Sequence, residues 1–119
     1  MPVYHFKDYF IYYLLTSNRT DSEVVKNSID NHLLTQIENY DRDNNTNNLD
    51  VLYTFLICDR KATEAGNKLH LHRNTVLYRI EKITEIFNLD LDNYNTRLEL
   101  LLVYKVLDLV KAEIIPYVD

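Results

Sequence analysis

The 119-residue sequence predicts a compact all-α domain of six or seven helices. Apolar residues recur with helical spacing along most of the chain, and the first stripe consists of Phe6, Phe10, Tyr13 and Leu14. Turn residues are scarce, since the chain has one Gly and two Pro, and this disfavours a fold of many short strands joined by tight hairpins. A chain of this length is large enough to bury one core without disulfides or a structural metal.

Three helices are predicted before residue 45. The first, at about 4–16, carries the stripe just named, although its run FIYYLL could also form a strand. Thr20 and Glu23 have the spacing of a capping box, which begins a short second helix. A third helix ends near Asn39, and its apolar stripe consists of Ile29, Leu33, Leu34 and Ile37. The polar run 41–48 then predicts a solvated loop, because Asn and Asp favour caps over helix interiors.

Four more helices are predicted after this loop, at about 48–57, 61–69, 72–87 and from Thr96 to a point before Pro116. Asp59-Arg60 separates the first two, and a polar connector at 88–95, held by Leu89 and Leu91, precedes the last. The predicted organisation is one compact domain with a helical lead-in at 1–45, a functional unit with its closing helix at 46–112, and a tail at 113–119.

Composition excludes several classes of protein. The longest apolar run, 10–15, is far shorter than the ~20 residues of a membrane span, and no signal peptide is visible. One Cys excludes a disulfide framework and any CxxC metal site, and it fits the reducing cytoplasm. One Gly excludes the glycine-rich loops that bind phosphate or dinucleotides. We therefore expect a cytoplasmic domain without a cofactor.

Charge is distributed unevenly along the chain. The net charge is −5, but residues 60–82 hold six Lys and Arg against two Glu, a net +4, whereas the rest holds seven cations against 16 acids, a net −9. His70 and His72 lie in the same stretch and can gain charge beside an anion. We call residues 60–82 the basic segment. It predicts a local anion-binding surface in an acidic protein, with a solvated helix face as the alternative.

The basic segment has the layout of a helix-turn-helix. Gly66 is the only Gly of the chain, and glycine costs about 1 kcal/mol relative to alanine inside a helix, so its position indicates a close helix crossing. Val76 lies where the second helix first buries a side chain against the first. The stripe continues through Ile80, Ile83 and Phe87, which leaves a polar face outward.

That outward face has the residue types of a DNA recognition helix. The candidate DNA-binding residues are His72, Arg73, Asn74, Thr75, Tyr78, Arg79 and Lys82. Arg pairs with guanine and Asn with adenine in the major groove, and a helix N-terminus favours phosphate. Arg79 and Lys82 suit phosphate contacts. Other interpretations are a capping role for Asn74 and Thr75, packing for Tyr78 and a solvated face for the two cations.

Residues 70–83, HxHRNTVLYRIEKI, resemble the C-terminal helix-turn-helix of PucR/CdaR-type bacterial regulators. The resemblance extends to IENYD (37–41), LDVLYTFL (49–56), LDLDNYNTRLELLLVYKVL (89–107) and the lead-in FKDYFIYYLL. A weaker resemblance to the Fis-type helix pair places Arg73 and Thr75 at DNA-contacting positions. The resemblance implies a sequence-specific, double-stranded-DNA-binding output domain of a transcriptional regulator of catabolic genes. It also implies an N-terminal metabolite-sensing region that this chain lacks.

Three other interpretations of the sequence were compared with DNA binding. His70 and His72 have alternating spacing but no third metal ligand nearby, so no metal site is expected. No Cys or Ser has the partners of a catalytic nucleophile, so no enzyme is expected. The alternative function is a helical protein-interaction or dimerisation module that does not contact DNA. Such a module would expose apolar side chains on the second helix.

A homodimer is expected on palindromic DNA, and its subunits would pair through the first or the last helix.

Overall fold

The computed structural model describes residues 32–111, and this part of the chain is helical without strands. The five helices within it are α1 (Leu33–Asn44), α2 (Asn48–Ile57), α3 (Ala62–Leu69), α4 (Arg73–Phe87) and α5 (Tyr94–Lys111). The predicted all-α class is confirmed. The two helices predicted before residue 29, which bring the expected count to six or seven, lie outside the described residues, as does the tail at 113–119.

Contacts divide the chain into two units, of which residues 33–101 form one. The other comprises residues 1–32 and 102–119, and its described part is His32 with the second half of α5. The site predicted from the sequence lies wholly within 33–101.

The core of the 33–101 unit is built around α2. This helix contacts α1, α3 and α4. Its sequence, NLDVLYTFLI, is mostly apolar, so it can be buried on several sides. Val51 and Leu52 are fully buried, as are Leu34 and Ile37 of α1. Burying one such side chain contributes about 1.5–3 kcal/mol, so α2 is the element that holds the other three helices together.

The connection between α1 and α2 is much shorter than the sequence predicts. The expectation that α1 ends near Asn39 and that 41–48 is a loop is wrong, since α1 continues to Asn44 and only 45–47 lie outside helices. Asp41 explains the difference. Its carboxylate accepts hydrogen bonds from Thr46 Oγ1 at 2.6 Å, from the Asn48 backbone N–H at 3.0 Å and from the Leu49 backbone N–H at 2.8 Å. Asp41 thus lies within α1 and caps the N-terminus of α2.

Replacing Asp41 by asparagine should lower the free energy of unfolding by about 1–2 kcal/mol, because the amide cannot accept all three bonds and lacks the charge that favours a helix N-terminus. Urea denaturation followed by circular dichroism measures the change. Asp43→Asn is the matched control, since the Asp43 side chain is exposed and makes no hydrogen bond or ion pair with any residue between 32 and 111. Equal midpoints for the two variants would contradict the capping role.

Backbone geometry confirms the predicted break between α2 and α3. Asp59 and Arg60 both adopt left-handed conformations, with φ of 54° and 63°. The Arg60 guanidinium lies 3.1 Å from the Asp92 carboxylate, which joins this turn to the α4–α5 connector. Two left-handed residues therefore separate α2 from α3 without a glycine.

The connector between α4 and α5 is held at both ends. Asn88 ends α4 in a left-handed conformation, and Leu91 is buried. The Asn93 side chain accepts a hydrogen bond from the Asn95 backbone N–H at 2.8 Å. As a result α5 begins at Tyr94, two residues before the predicted start at Thr96.

Candidate nucleic-acid interface

The α3–α4 turn spans residues 70–72 and depends on the backbone of His70. Because His70 has a φ of 57°, the chain turns left-handed here, in a position that many helix-turn-helix units fill with glycine. The backbone N–H groups of His70 and Leu71 both donate to the Gly66 carbonyl, the second at 2.9 Å. These bonds end α3 and direct the chain into α4.

Gly66 is the point at which the turn approaches α3 most closely. A Cβ atom added there would collide with the Leu71 carbonyl oxygen and would lie 3.6 Å from the Arg73 nitrogen. The sequence predicts a close helix crossing at Gly66, and the atoms nearest to the added Cβ belong to the turn and to the first residue of α4. Val76 is fully buried. The absence of a side chain at Gly66 therefore allows the turn that leads into α4 to pass close to α3.

His72 is the N-cap of α4. Its Nδ1 accepts a hydrogen bond from the Asn74 backbone N–H at 3.1 Å. An accepting Nδ1 in a neutral imidazole leaves the ring proton on Nε2, which is then a donor. His72 is exposed, so this donor faces solvent beside the positive end of the α4 dipole. Because Nδ1 makes the cap, the Nε2–H of His72 is available to donate a hydrogen bond to an anion.

The exposed face of α4 carries the other predicted contacts. Val76, Ile80 and Ile83 are buried, which directs Asn74 and Tyr78, one turn apart, to the opposite side. The seven candidate residues all lie on α4 or at its N-cap: His72, Arg73, Asn74, Thr75, Tyr78, Arg79 and Lys82. All but Arg79 are exposed. One helix therefore presents the whole set, with Arg73 in its first turn.

Arg79 differs from the other candidates because it is partly buried and its side chain is hydrogen-bonded to a residue outside α4. One of its guanidinium nitrogens donates to the Asn47 side-chain oxygen in the α1–α2 connection. Lys82 is exposed, and its ammonium lies 5.6 Å from the centre of the Tyr78 ring and 3.7 Å from the Glu85 carboxylate. With these contacts in place, the Arg79 side chain is still partly accessible and the Lys82 side chain is exposed.

The cations of the basic segment differ in their pairing. Arg60, Lys61 and Lys82 form ion pairs with Asp92, Glu64 and Glu85, all on exposed or partly exposed side chains. Exposed ion pairs of this kind contribute about 0–1 kcal/mol to stability, so a phosphate can replace the carboxylate partner at little cost. Lys68 and Arg73 have no ion pair with any residue between 32 and 111. Arg73 is the available cation at the tip of α4.

Two residues at this surface were missed by the sequence analysis. Leu77 is 42% exposed and lies one turn after Arg73, where an apolar side chain can contact a thymine methyl group. Asn47 was counted among the residues of a solvated loop, yet it binds Arg79. No pattern in the sequence signals a contact between residues 32 positions apart. The exposure of Leu77, however, follows from the same helical periodicity that buries Val76 and Ile80.

Residues 32–111 show neither a metal-binding cluster nor a membrane-spanning helix. No group of three or more His, Cys, Asp or Glu side chains is arranged to hold a metal ion there. No helix in that range has both the length and the apolar content needed to cross a membrane.

Comparisons with known proteins agree with this geometry. Residues 49–106 match the family described as the PucR C-terminal helix-turn-helix domain. The chain is 34% identical over 76 residues to the DNA-binding transcriptional activator AdeR of Bacillus subtilis, a match that covers 64% of this chain and 18% of AdeR. It is 31% identical over 99 residues to the proline-responsive transcriptional activator PutR of the same organism, which covers 83% of this chain and 24% of PutR. No solved structure matches significantly.

The matched region spans less than a quarter of either relative's length. The family match covers α2, the helix-turn-helix formed by α3 and α4, and most of α5. Through residues 49–106, the chain belongs to the family of PucR C-terminal helix-turn-helix domains.

Proposed function

We propose that this chain is the sequence-specific, double-stranded-DNA-binding output domain of a bacterial transcriptional regulator of catabolic genes. The observation that carries the proposal is the outer face of α4, where Arg73, Asn74 and Thr75 are exposed in the first turn. The description of AdeR as a DNA-binding transcriptional activator supports it, as does that of PutR as a transcriptional activator. The activity proposed is binding, without catalysis, and its place is the cytoplasm.

In this proposal α4 enters the major groove, which is about 12 Å wide and accepts an α-helix. Arg73 forms a bidentate pair with guanine, while Asn74 and Thr75 contact neighbouring base edges. His72 Nε2 and the N-terminal end of α4 bind a phosphate. Arg79 and Lys82 bind phosphates farther along the groove and fix the register of the helix without reading sequence. Tyr78, which is 59% exposed, lies between these two groups.

Selection of duplexes from a random library by the purified chain tests this function. We expect enrichment of a defined sequence, called the selected duplex below, with tighter binding to it than to random duplex in fluorescence anisotropy. We also expect retention on heparin at low salt and elution as salt rises. Absence of retention and of enrichment would contradict the proposal and favour a module that binds protein.

Lys82→Ala should weaken binding to the selected and random duplexes by the same factor, because a phosphate contact carries no sequence information. The slope of log K against log salt should fall in magnitude by about 0.9, the contribution of one neutralised phosphate. Anisotropy titrations at several salt concentrations measure both. Arg42→Ala, which removes one positive charge from an exposed position of α1, is the control and should leave the slope unchanged. A Lys82 variant with an altered sequence preference would contradict the phosphate role.

We further propose that the domain acts as a homodimer, with two α4 helices about 34 Å apart on a palindromic site. In the parent protein it would follow an N-terminal metabolite-sensing region. We also propose that the chain is organised as one domain, with a helical lead-in at 1–45, the DNA-binding unit with its closing helix at 46–112 and a tail at 113–119. Light scattering of the chain bound to the selected duplex measures the stoichiometry, and two chains per palindrome are expected.

A further inference from the structure

Asn47 occupies a capping position without capping. It is the N-cap residue of α2, a position where asparagine ordinarily accepts a hydrogen bond from the first turn, but its side chain makes no such bond. Asp41 accepts from the Asn48 and Leu49 backbone N–H groups instead, at 3.0 and 2.8 Å. The start of α2 is therefore stabilised by another residue, and the Asn47 amide has a different partner.

That partner is Arg79, the partly buried cation on the flank of α4. Since a guanidinium has donors and no acceptor, the contact requires Asn47 Oδ1 to face Arg79. The bond uses one of the five N–H donors of Arg79 and leaves the others for a second partner. Asn47 is exposed, so the joined pair lies at the surface, between the α1–α2 connection and the recognition helix.

We propose that Asn47 is a positioning residue, which holds the Arg79 guanidinium on the flank of α4 in the orientation required to bind a DNA phosphate. The inference rests on the proposed function. A neutral amide suits this role because it fixes an arginine without neutralising its charge, whereas a carboxylate would compete with the phosphate. Arg79 is thus oriented before DNA arrives, which reduces the entropy lost when the contact forms.

Asn47→Asp separates positioning from structural support. Because the Asn47 side chain makes no capping bond, aspartate there loses none, and its charge is favourable at a helix N-terminus, so the free energy of unfolding should stay equal or rise. The new carboxylate pairs with Arg79, so DNA affinity should fall and the salt slope should decrease in magnitude by about 0.9. Asn47→Ala leaves the cation intact but mobile. It should lower affinity by about threefold to tenfold, the contribution of one hydrogen bond, with the slope retained.

Asn45→Asp is the matched control. It introduces the same charge into the same connection, two residues away, at a left-handed position with a φ of 52° where aspartate is tolerated. Its salt slope should equal that of the unmodified chain. Arg79→Ala combined with Asn47→Asp should bind no more weakly than Arg79→Ala alone, since the carboxylate then has no cation to neutralise.

These outcomes distinguish a failure of the positioning role of Asn47 from a failure of the proposed DNA-binding function. An unchanged slope in Asn47→Asp, or an equal loss in Asn45→Asp, would overturn the positioning role and assign the effect to general repulsion between acids and DNA. Failure of the unmodified chain to bind any duplex would contradict the proposed function itself.

Discussion

Arg73→Ala is expected to weaken binding to the selected duplex by about 5- to 150-fold, or about 1–3 kcal/mol, and to relax the preference at one base pair. Arg73 is exposed in the first turn of α4 and has no ion pair within residues 32–111, so it meets DNA without first breaking an internal contact. The loss should be larger than that for Lys82→Ala, because a bidentate pair with a base is both a strong and a directional interaction. Competitive anisotropy against duplexes altered at each position measures it.

Arg42→Ala is the control for the removal of one positive charge. Arg42 is exposed in the last turn of α1, where it donates to Asn39 at 2.7 Å, and it does not lie on α4. This variant should retain the sequence preference. If Arg73→Ala binds the selected duplex as tightly as the unmodified chain does, the base-reading role of Arg73 is wrong.

Gly66→Val should lower the free energy of unfolding by about 2–3 kcal/mol. The added Cβ would collide with the Leu71 carbonyl, which is a backbone atom in a turn already fixed by two hydrogen bonds to Gly66. Over-packing of this kind costs about 1–3 kcal/mol, and here the strained atom is a backbone carbonyl of the turn that leads into α4. DNA affinity should therefore fall with stability.

Asn67→Val is the matched control, since it places the same β-branched side chain at the neighbouring, exposed position of α3. A surface substitution of this type should change stability by no more than about 0.5 kcal/mol. Urea denaturation midpoints of the two variants give the comparison. Equal midpoints would show that Gly66 is not required for the close approach of the turn.

The helical class and the order of the elements were predictable because apolar periodicity decides which helix faces are buried. Val76, Ile80 and Ile83 follow the predicted stripe and are buried as expected. The same periodicity places Asn74 and Tyr78 on the outer face of α4. The break at Asp59-Arg60 was predictable from local residue preference alone.

The errors arose where a side chain acts on a distant part of the backbone. The preference of Asn and Asp for caps and loops predicts that residues 41–48 lie outside helices, but Asp41 stays within α1 and caps α2. Asn47 was read as part of a loop, although its partner is 32 residues away on α4. Local preference describes a residue's own backbone and gives no information on such tertiary hydrogen bonds. These bonds nevertheless orient the proposed DNA-binding surface.

In the proposed function the outer face of α4 lies in the major groove of duplex DNA. Intermolecular nuclear Overhauser effects, measured by NMR on the isotopically labelled chain bound to the selected duplex, test this claim most directly. We predict contacts from the Thr75 and Leu77 methyl groups to major-groove protons, such as cytosine H5 or a thymine methyl group. Contacts confined to minor-groove protons, or arising from other helices while the α4 signals stay unchanged, would contradict it.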